Sequence, residues 1–392
     1  MDIFEKCRKF TLAKDVMKRG LYPYFIPLTE NEGTEVVYEG KHIIMCGSNN
    51  YLGLTTHPRV REAAKKAIDR FGTSCTGSRF LNGTLELHER LESELAKFVS
   101  KEKALIFSTG MQTNLGTISS LVGRDDVAIL DKEDHASIVD GARLGFGKIE
   151  RFRHNDMSHL ERVLESIPEE KGRLIVVDGV FSMGGDLADL PNILSLAKKY
   201  NARVMVDDSH HTVITGGGRG TAAHFGLSDE VDLIMSTFSK SFASLGGFIA
   251  GDAEIIHYIK HNARSLIFSA SIPASNAAAV LVALDIINRE PERVARVNEI
   301  ADYMRKGFHE MGFNIGESVT PIIPVIIGDD TKTFVMWKSL FEKGVFVNPV
   351  VSPAVAPGQQ LLRTSYMATH TDEQMDKVLE AFKQVGKKLE II

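Results

Sequence analysis

At 392 residues the chain exceeds the usual size of one hydrophobic core, so two or three domains are expected. Its 43% hydrophobic and 25% charged content is ordinary for a globular protein, and its 33 Gly and 12 Pro form no low-complexity tract. A net charge of −5, from 46 basic and 51 acidic side chains, gives no electrostatic ground for nucleic acid or an anionic membrane as main partner.

The opening Met1–Asp2–Ile3–Phe4–Glu5 lacks a basic stretch before an apolar core, so no signal peptide is expected. No uncharged apolar run is long enough to predict a membrane span. Cys7, Cys46 and Cys75 are widely spaced and form no metal-ligand pattern. A cytoplasmic protein without a metal site is the expectation.

Residues 1–50 read as a partly helical arm followed by a short hairpin. Its turn is Glu39-Gly40-Lys41, and Ile43 to Met45 is the apolar run after it. Leu87, Leu91, Leu95, Phe98 and Val99 then recur at helical spacing. Five apolar runs of strand length follow: Ala104–Phe107, Val127–Leu130, Leu174–Val177, Val204–Val206 and Leu233–Met235. Unbroken apolar runs bounded by polar turns, with helical spacings between several of them, predict a buried, mostly parallel sheet. An α/β fold with helices on both faces is expected. Ala274 to about Ile287 reads as a long apolar helix. After Pro291 a smaller α+β C-terminal domain is expected, with strands near Thr320–Ile327 and Gly344–Val350. Its last helix starts at Thr371, with Gln374 three residues on, and Met375, Val378, Leu379, Phe382 and Val385 share one face. The predicted organisation is an arm over 1–50, a large domain over 51–290 and a small domain over 291–392.

Polar residues cluster where these runs end. Asp131 is followed by His135, Asp178 by Ser182 and Asp207 by His210. Thr237, Ser239 and Lys240 follow the last run. In an open parallel sheet the carboxyl ends of the strands border the ligand crevice, so residues over a hundred positions apart can converge there. A lone lysine is usually a solvated surface residue, and a lone strand-end aspartate is often a turn former. Lys240 instead lies in Ser236-Thr237-Phe238-Ser239-Lys240-Ser241-Phe242, ahead of Gly246-Gly247.

A desolvated lysine near other cations loses affinity for its proton and becomes a nucleophile. Asp207 can keep a pyridine nitrogen protonated, which makes the ring an electron sink. His135 offers a flat ring for stacking, Ser182 a hydroxyl for a phenolic oxygen, and His210 a partner for the ring hydroxyl or a substrate. A phosphate needs backbone donors, and Ser108-Thr109-Gly110-Met111 lies between a strand and a helix start. Gly110 and Met111 supply amides there, with Thr237 and Ser239 adding hydroxyls. The set fits pyridoxal 5'-phosphate (PLP) bound as a Schiff base on Lys240. Gly216–Gly220 lacks the placement of a dinucleotide loop, and the adjacent His210 and His211 cannot both face one metal.

These residues resemble the α-oxoamine synthases, within the fold-type I PLP-dependent transferases. The matching strings are Ser48-Asn49-Asn50-Tyr51-Leu52-Gly53, Asp134-His135-Ala136-Ser137-Ile138, Phe181-Ser182-Met183 with Gly185-Asp186, Asp207-Asp208-Ser209-His210, Thr237-Phe238-Ser239-Lys240 and Met367-Ala368-Thr369-His370-Thr371. They run in the family's order across nearly the whole chain. The resemblance implies condensation of a small amino acid with an acyl-CoA, and a homodimer with sites at the subunit interface. It implies Lys240 as Schiff-base lysine and Asp207 at the pyridine nitrogen. His135 would stack on the ring, and His210 would lie near the phenolic oxygen and substrate. Arg363 is implied to grip the substrate carboxylate, Asn49 to close on the substrate, and Ser269, in Phe268-Ser269-Ala270-Ser271, to reach the neighbour's cofactor phosphate.

Thr76-Gly77-Ser78-Arg79, Leu81-Asn82-Gly83-Thr84 and Asn348–Pro353 most resemble the branch that joins serine to a long-chain, palmitoyl-like acyl-CoA with loss of carbon dioxide. Branches using glycine with acetyl-CoA, or alanine with pimeloyl-CoA, are alternatives, as are an aminotransferase and a non-catalytic binding protein on the same scaffold. One stretch departs from the family pattern. His211 replaces a small residue and Val213 a glycine, which leaves the choice of amino acid and acyl chain open.

Overall fold

The computed structural model describes residues 2–210 and 216–392. The departure at His211 and Val213 lies outside the described residues. The chain divides into two compact units: Asn49–Asn298, and the chain up to Ser48 together with Glu299–Ile392. The N-terminal arm thus joins the C-terminal segment in one unit, and the second division falls inside a helix, Glu292–Met311.

The larger unit is built on seven strands: β1 (Lys103–Phe107), β2 (Asp126–Asp131), β3 (Lys148–Phe152), β4 (Gly172–Asp178), β5 (Arg203–Asp207), β6 (Leu233–Thr237) and β7 (Gly247–Gly251). Their order is β1-β7-β6-β5-β4-β2-β3. β7 runs antiparallel to both neighbours, and the other pairings are parallel. The sheet is therefore mostly parallel, as the sequence predicts.

Five of the seven strands coincide with the predicted apolar runs. β3 and β7 were not predicted. β3 reads Lys-Ile-Glu-Arg-Phe at the sheet edge, where only partial burial is needed, and β7 is bounded by glycines that look like turn residues.

Residues on both faces of the central strands are buried. Ala128, Leu130, Val176, Met205 and Met235 join Ile118, Ile138 and Ile259 in one cluster. Their strand neighbours Ile129, Ile175, Val177, Val206 and Ile234 are equally enclosed. Burial on both sides accounts for unbroken rather than alternating apolar runs. Each such side chain contributes roughly 1.5–3 kcal/mol. Among the described residues no helix is long and apolar enough to cross a membrane.

The smaller unit holds two sheets. One takes Glu30–Asn31, Glu35–Tyr38, Lys41–Met45 and Val345–Phe346 in that order, which includes the hairpin read from Glu39-Gly40-Lys41. The other places Leu361–Ser365 between Ile322–Ile326 and Asn348–Val350, all antiparallel. The last helix, Asp372–Lys388, begins with the capping box predicted for Thr371 and Gln374. Gln374 N donates to the Thr371 hydroxyl and Thr371 N to the Gln374 side chain, each at 3.1 Å. Met375, Val378, Phe382 and Val385 are its buried face.

Candidate active site

In the larger unit a cavity of about 280 Å³ opens at the carboxyl ends of the strands. Its walls include Thr109, Gly110, Met111, His135, Ser182, Asp207, His210, Thr237, Ser239 and Lys240. Ten residues predicted from separate strings thus meet around one space.

The segment carrying Lys240 is held on both sides. Phe238 and Phe242 are fully buried, with ring centroids 5.8 Å apart, and Phe238 stacks on Phe248 of β7. Backbone hydrogen bonds from Ala243 N to Lys240 O and from Ser244 N to Phe238 O, each 2.9 Å, close the turn between them. Two apolar anchors flanking a polar turn fix the lysine's backbone while leaving its side chain on the cavity wall.

The helix Gly110–Leu121 starts at the cavity, capped by Thr109, whose hydroxyl accepts from Gln112 N at 3.0 Å. A β-carbon on Gly110 would lie 2.7 Å from Thr237 Oγ1, and one on Gly247 would lie 2.8 Å from Gly110 Cα. Both glycines permit the helix start to press against β6 and β7. The amides at the start of a helix and the Thr237–Ser239 hydroxyl pair, 2.7 Å apart, suit an anionic phosphate.

Asp207 ends β5 and is 3% exposed. One carboxylate oxygen accepts from Asn114 Nδ2 at 2.7 Å, the other from Ser209 N at 3.0 Å. His135 begins the helix Ala136–Leu144; its Nδ1 accepts from Ser137 N at 3.3 Å and lies 2.7 Å from the Ser137 hydroxyl. Its backbone amide donates to Asp178 at 2.8 Å. Burial lowers the proton affinity of His135, with Asp207 opposing and Lys240 assisting. His210 is 7% exposed, and its Nδ1 lies 2.8 Å from the hydroxyl of fully buried Tyr51, which in turn donates to Asn49 Oδ1 at 3.1 Å.

Asp178 lines the cavity as well. Asp178 is buried, and burial together with the Asp207 charge holds its proton affinity well above the ordinary carboxylic value. His154 bridges Asp131, at 3.0 Å, and Asp186, at 2.9 Å. Burial alone would lower its pKa, but the two carboxylates outweigh it and raise it to about 10.

Three predicted residues lie off the cavity wall: Asn49, which is linked to His210 through Tyr51, Ser269 and Arg363. Ser269 is not on the cavity wall; its hydroxyl accepts from Gln112 Nε2 at 2.9 Å, beside the same helix start. Arg363 belongs to the smaller unit, 5% exposed on the strand Leu361–Ser365. Asn114, which bonds Asp207, was not anticipated. A polar residue inside a helix stretch carries no motif, and its partner lies 93 positions away. Tyr51 sits in a quoted string, yet its contact with His210 spans 159 positions and is invisible in the sequence.

The profile of the aminotransferase class I and II family matches residues 41–382. The serine palmitoyltransferase of Sphingobacterium spiritivorum is 50% identical over 388 residues, covering 99% of this chain and 97% of that protein. That of Bacteroides thetaiotaomicron is 51% identical over 389 residues, covering 99% of each. A solved structure described as SPT with a PLP internal aldimine superposes with a TM-score of 0.97 at 35% identity, covering 100% of both chains.

The chain is an α-oxoamine synthase.

It is a PLP-dependent enzyme of fold type I, and the resemblance read from its motifs is borne out. The cavity fits that cofactor: a lysine, a buried carboxylate held by two donors, a histidine ring and a glycine-bared helix start surround one space of suitable size.

Proposed function

We propose that this α-oxoamine synthase condenses L-serine with a long-chain acyl-CoA such as palmitoyl-CoA. A bond forms between the serine Cα and the acyl carbonyl carbon, and the thioester carbon–sulfur bond breaks to release CoA. The Cα–carboxylate bond then breaks to release carbon dioxide, and a proton returns to Cα, giving a 3-keto long-chain amine. One observation carries the reading: the Lys240 cavity occurs in a chain half-identical, end to end, to serine palmitoyltransferases.

When bound, PLP supplies an electron sink for the negative charge that develops at Cα. The chain's own residues do the rest. Lys240 would anchor the cofactor, and its amine is the base placed to take the Cα proton. The Asp207 carboxylate holds the proton on the pyridine nitrogen, kept in place by Asn114 and Ser209. His135 would cover one face of the ring, and Ser182 would donate to its phenolic oxygen. His210, fixed through Tyr51, polarises the acyl carbonyl. The amides of Gly110 and Met111, with Thr237 and Ser239, take the phosphate. Arg363 is the proposed bidentate partner of the serine carboxylate and Asn49 a substrate contact, both roles resting on the motifs alone.

The enzyme is further proposed to act as a homodimer in the cytoplasm, with Ser269 serving the neighbour's phosphate; sedimentation should then give about twice 43.3 kDa. A matrix of serine, glycine and alanine against acetyl-, pimeloyl- and palmitoyl-CoA, read by free CoA and condensed product, tests the substrate assignment. Highest turnover with serine and palmitoyl-CoA supports it; preference for glycine with acetyl-CoA, or alanine with pimeloyl-CoA, overturns it.

A further inference from the structure

Asn114 is fully enclosed in the helix Gly110–Leu121. Both hydrogens of its amide are committed: one to Asp207 Oδ2 at 2.7 Å, the other to Ser137 Oγ at 2.9 Å. The orientation of that amide is not arbitrary. Turned over, it would aim its own oxygen at the Asp207 carboxylate, which can only accept. Its Oδ1 is buried with no hydrogen-bond partner among the described residues. An unmet buried acceptor is unfavourable, and an apolar side chain of similar size would avoid it. The two donated hydrogens are therefore what this position supplies.

The Ser137 oxygen accepts from Asn114 and keeps one hydrogen of its own, which His135 Nδ1, 2.7 Å away, is placed to accept. The Ser137 backbone N–H points at the same nitrogen, at 3.3 Å. With two donors directed at it, Nδ1 bears no proton, and the neutral ring carries its hydrogen on Nε2.

We infer that Asn114 is a positioning residue that orients the Asp207 carboxylate and, through the Ser137 hydroxyl, fixes His135 as the Nε2–H tautomer. The inference rests on the reading of Asp207 and His135 as cofactor-binding groups. It assigns two further residues, one on each of two neighbouring helices, to the support of that site. A single amide thereby couples the group that holds the ring proton to the group that covers the ring face.

The test is a nitrogen-15 spectrum of the holoenzyme with labelled histidine, in which the His135 signals are identified by their loss in His135→Gln. The wild type should show an unprotonated Nδ1 and a protonated Nε2 near neutral pH. In Asn114→Asp the new carboxyl shares a proton with Asp207, and its oxygen can accept the Ser137 hydrogen, so the His135 proton should move to Nδ1. In Asn114→Leu and Ser137→Ala the fixed tautomer should give way to a mixture. Ser137→Ala keeps Asn114 and Asp207 together, which serves if either Asn114 variant fails to fold. Asn114→Leu should also lower kcat by roughly tenfold to a hundredfold, the range for one charged hydrogen bond, with KM for palmitoyl-CoA little changed. A wild-type His135 protonated on Nδ1, or an unchanged tautomer in the folded variants, overturns the inference. If serine and palmitoyl-CoA give no product but the tautomers shift as described, the substrate reading fails and the role of Asn114 stands.

Discussion

Gly110→Ala isolates the close approach at the proposed phosphate end of the cavity. The added carbon would lie 2.7 Å from Thr237 Oγ1 and 2.8 Å from Thr237 Cβ. Ordinary carbon contacts begin near 3.5 Å, so Thr237 or the helix start must yield by roughly 0.7 Å. Overpacking of this kind costs about 1–3 kcal/mol, offset by up to about 1 kcal/mol from the better helix propensity of alanine. A net loss of about 1–2 kcal/mol should lower Tm by roughly 2–8 °C for a unit of this size. Thr237 also holds Ser239 Oγ at 2.7 Å and Gly246 O at 3.0 Å, so its displacement disturbs the whole hydroxyl pair. PLP affinity should fall about tenfold, the equivalent of one charge-assisted hydrogen bond. Thermal unfolding of apo-protein and a fluorescence titration with PLP measure the two effects. Wild-type Tm together with wild-type PLP affinity would refute the argument that this contact shapes the phosphate site.

Tyr51→Phe removes the hydroxyl between His210 and Asn49 without changing ring volume. Turnover should drop by roughly tenfold while PLP binding stays near wild type; equal activity would deny Tyr51 a part in orienting His210. His154 has its folded pKa raised to about 10, above the ordinary histidine value near 6.5. Its stabilising contribution is therefore complete below about pH 6.5 and is lost as pH rises toward about 10. His154→Gln should cost roughly 2–4 kcal/mol at pH 6, and the gap to wild type should close across that window. Urea denaturation at several pH values reads it, and a pH-independent gap would contradict the Asp131–His154–Asp186 bridge.

The legible part of this molecule is the part whose reasons are local. Strands buried on both faces must be apolar on both, so β1, β2, β4, β5 and β6 appear as runs, and the residue after each run is placed at the sheet's end by topology alone. Thr371 and Gln374 announce a helix start because their partners are three residues apart. β3 needs little burial and β7 relies on glycine for close approach, so neither carries a strong strand pattern. Asn114 shows the limit most clearly. Its value lies in two hydrogen bonds to residues brought together by the fold, and an asparagine inside a helix stretch looks like any other poor helix former. Ser137 and Tyr51 lie within recognisable strings, but their roles depend on contacts that only packing creates.

Lys240 is the proposed point of cofactor attachment. Borohydride reduction of the purified holoenzyme, followed by digestion and mass mapping, addresses that claim most directly. One phosphopyridoxyl group per chain on the peptide containing Phe238-Ser239-Lys240-Ser241-Phe242 is the predicted result, with none in Lys240→Ala. Attachment at another lysine, or no attachment in protein that retains its fold, would contradict it.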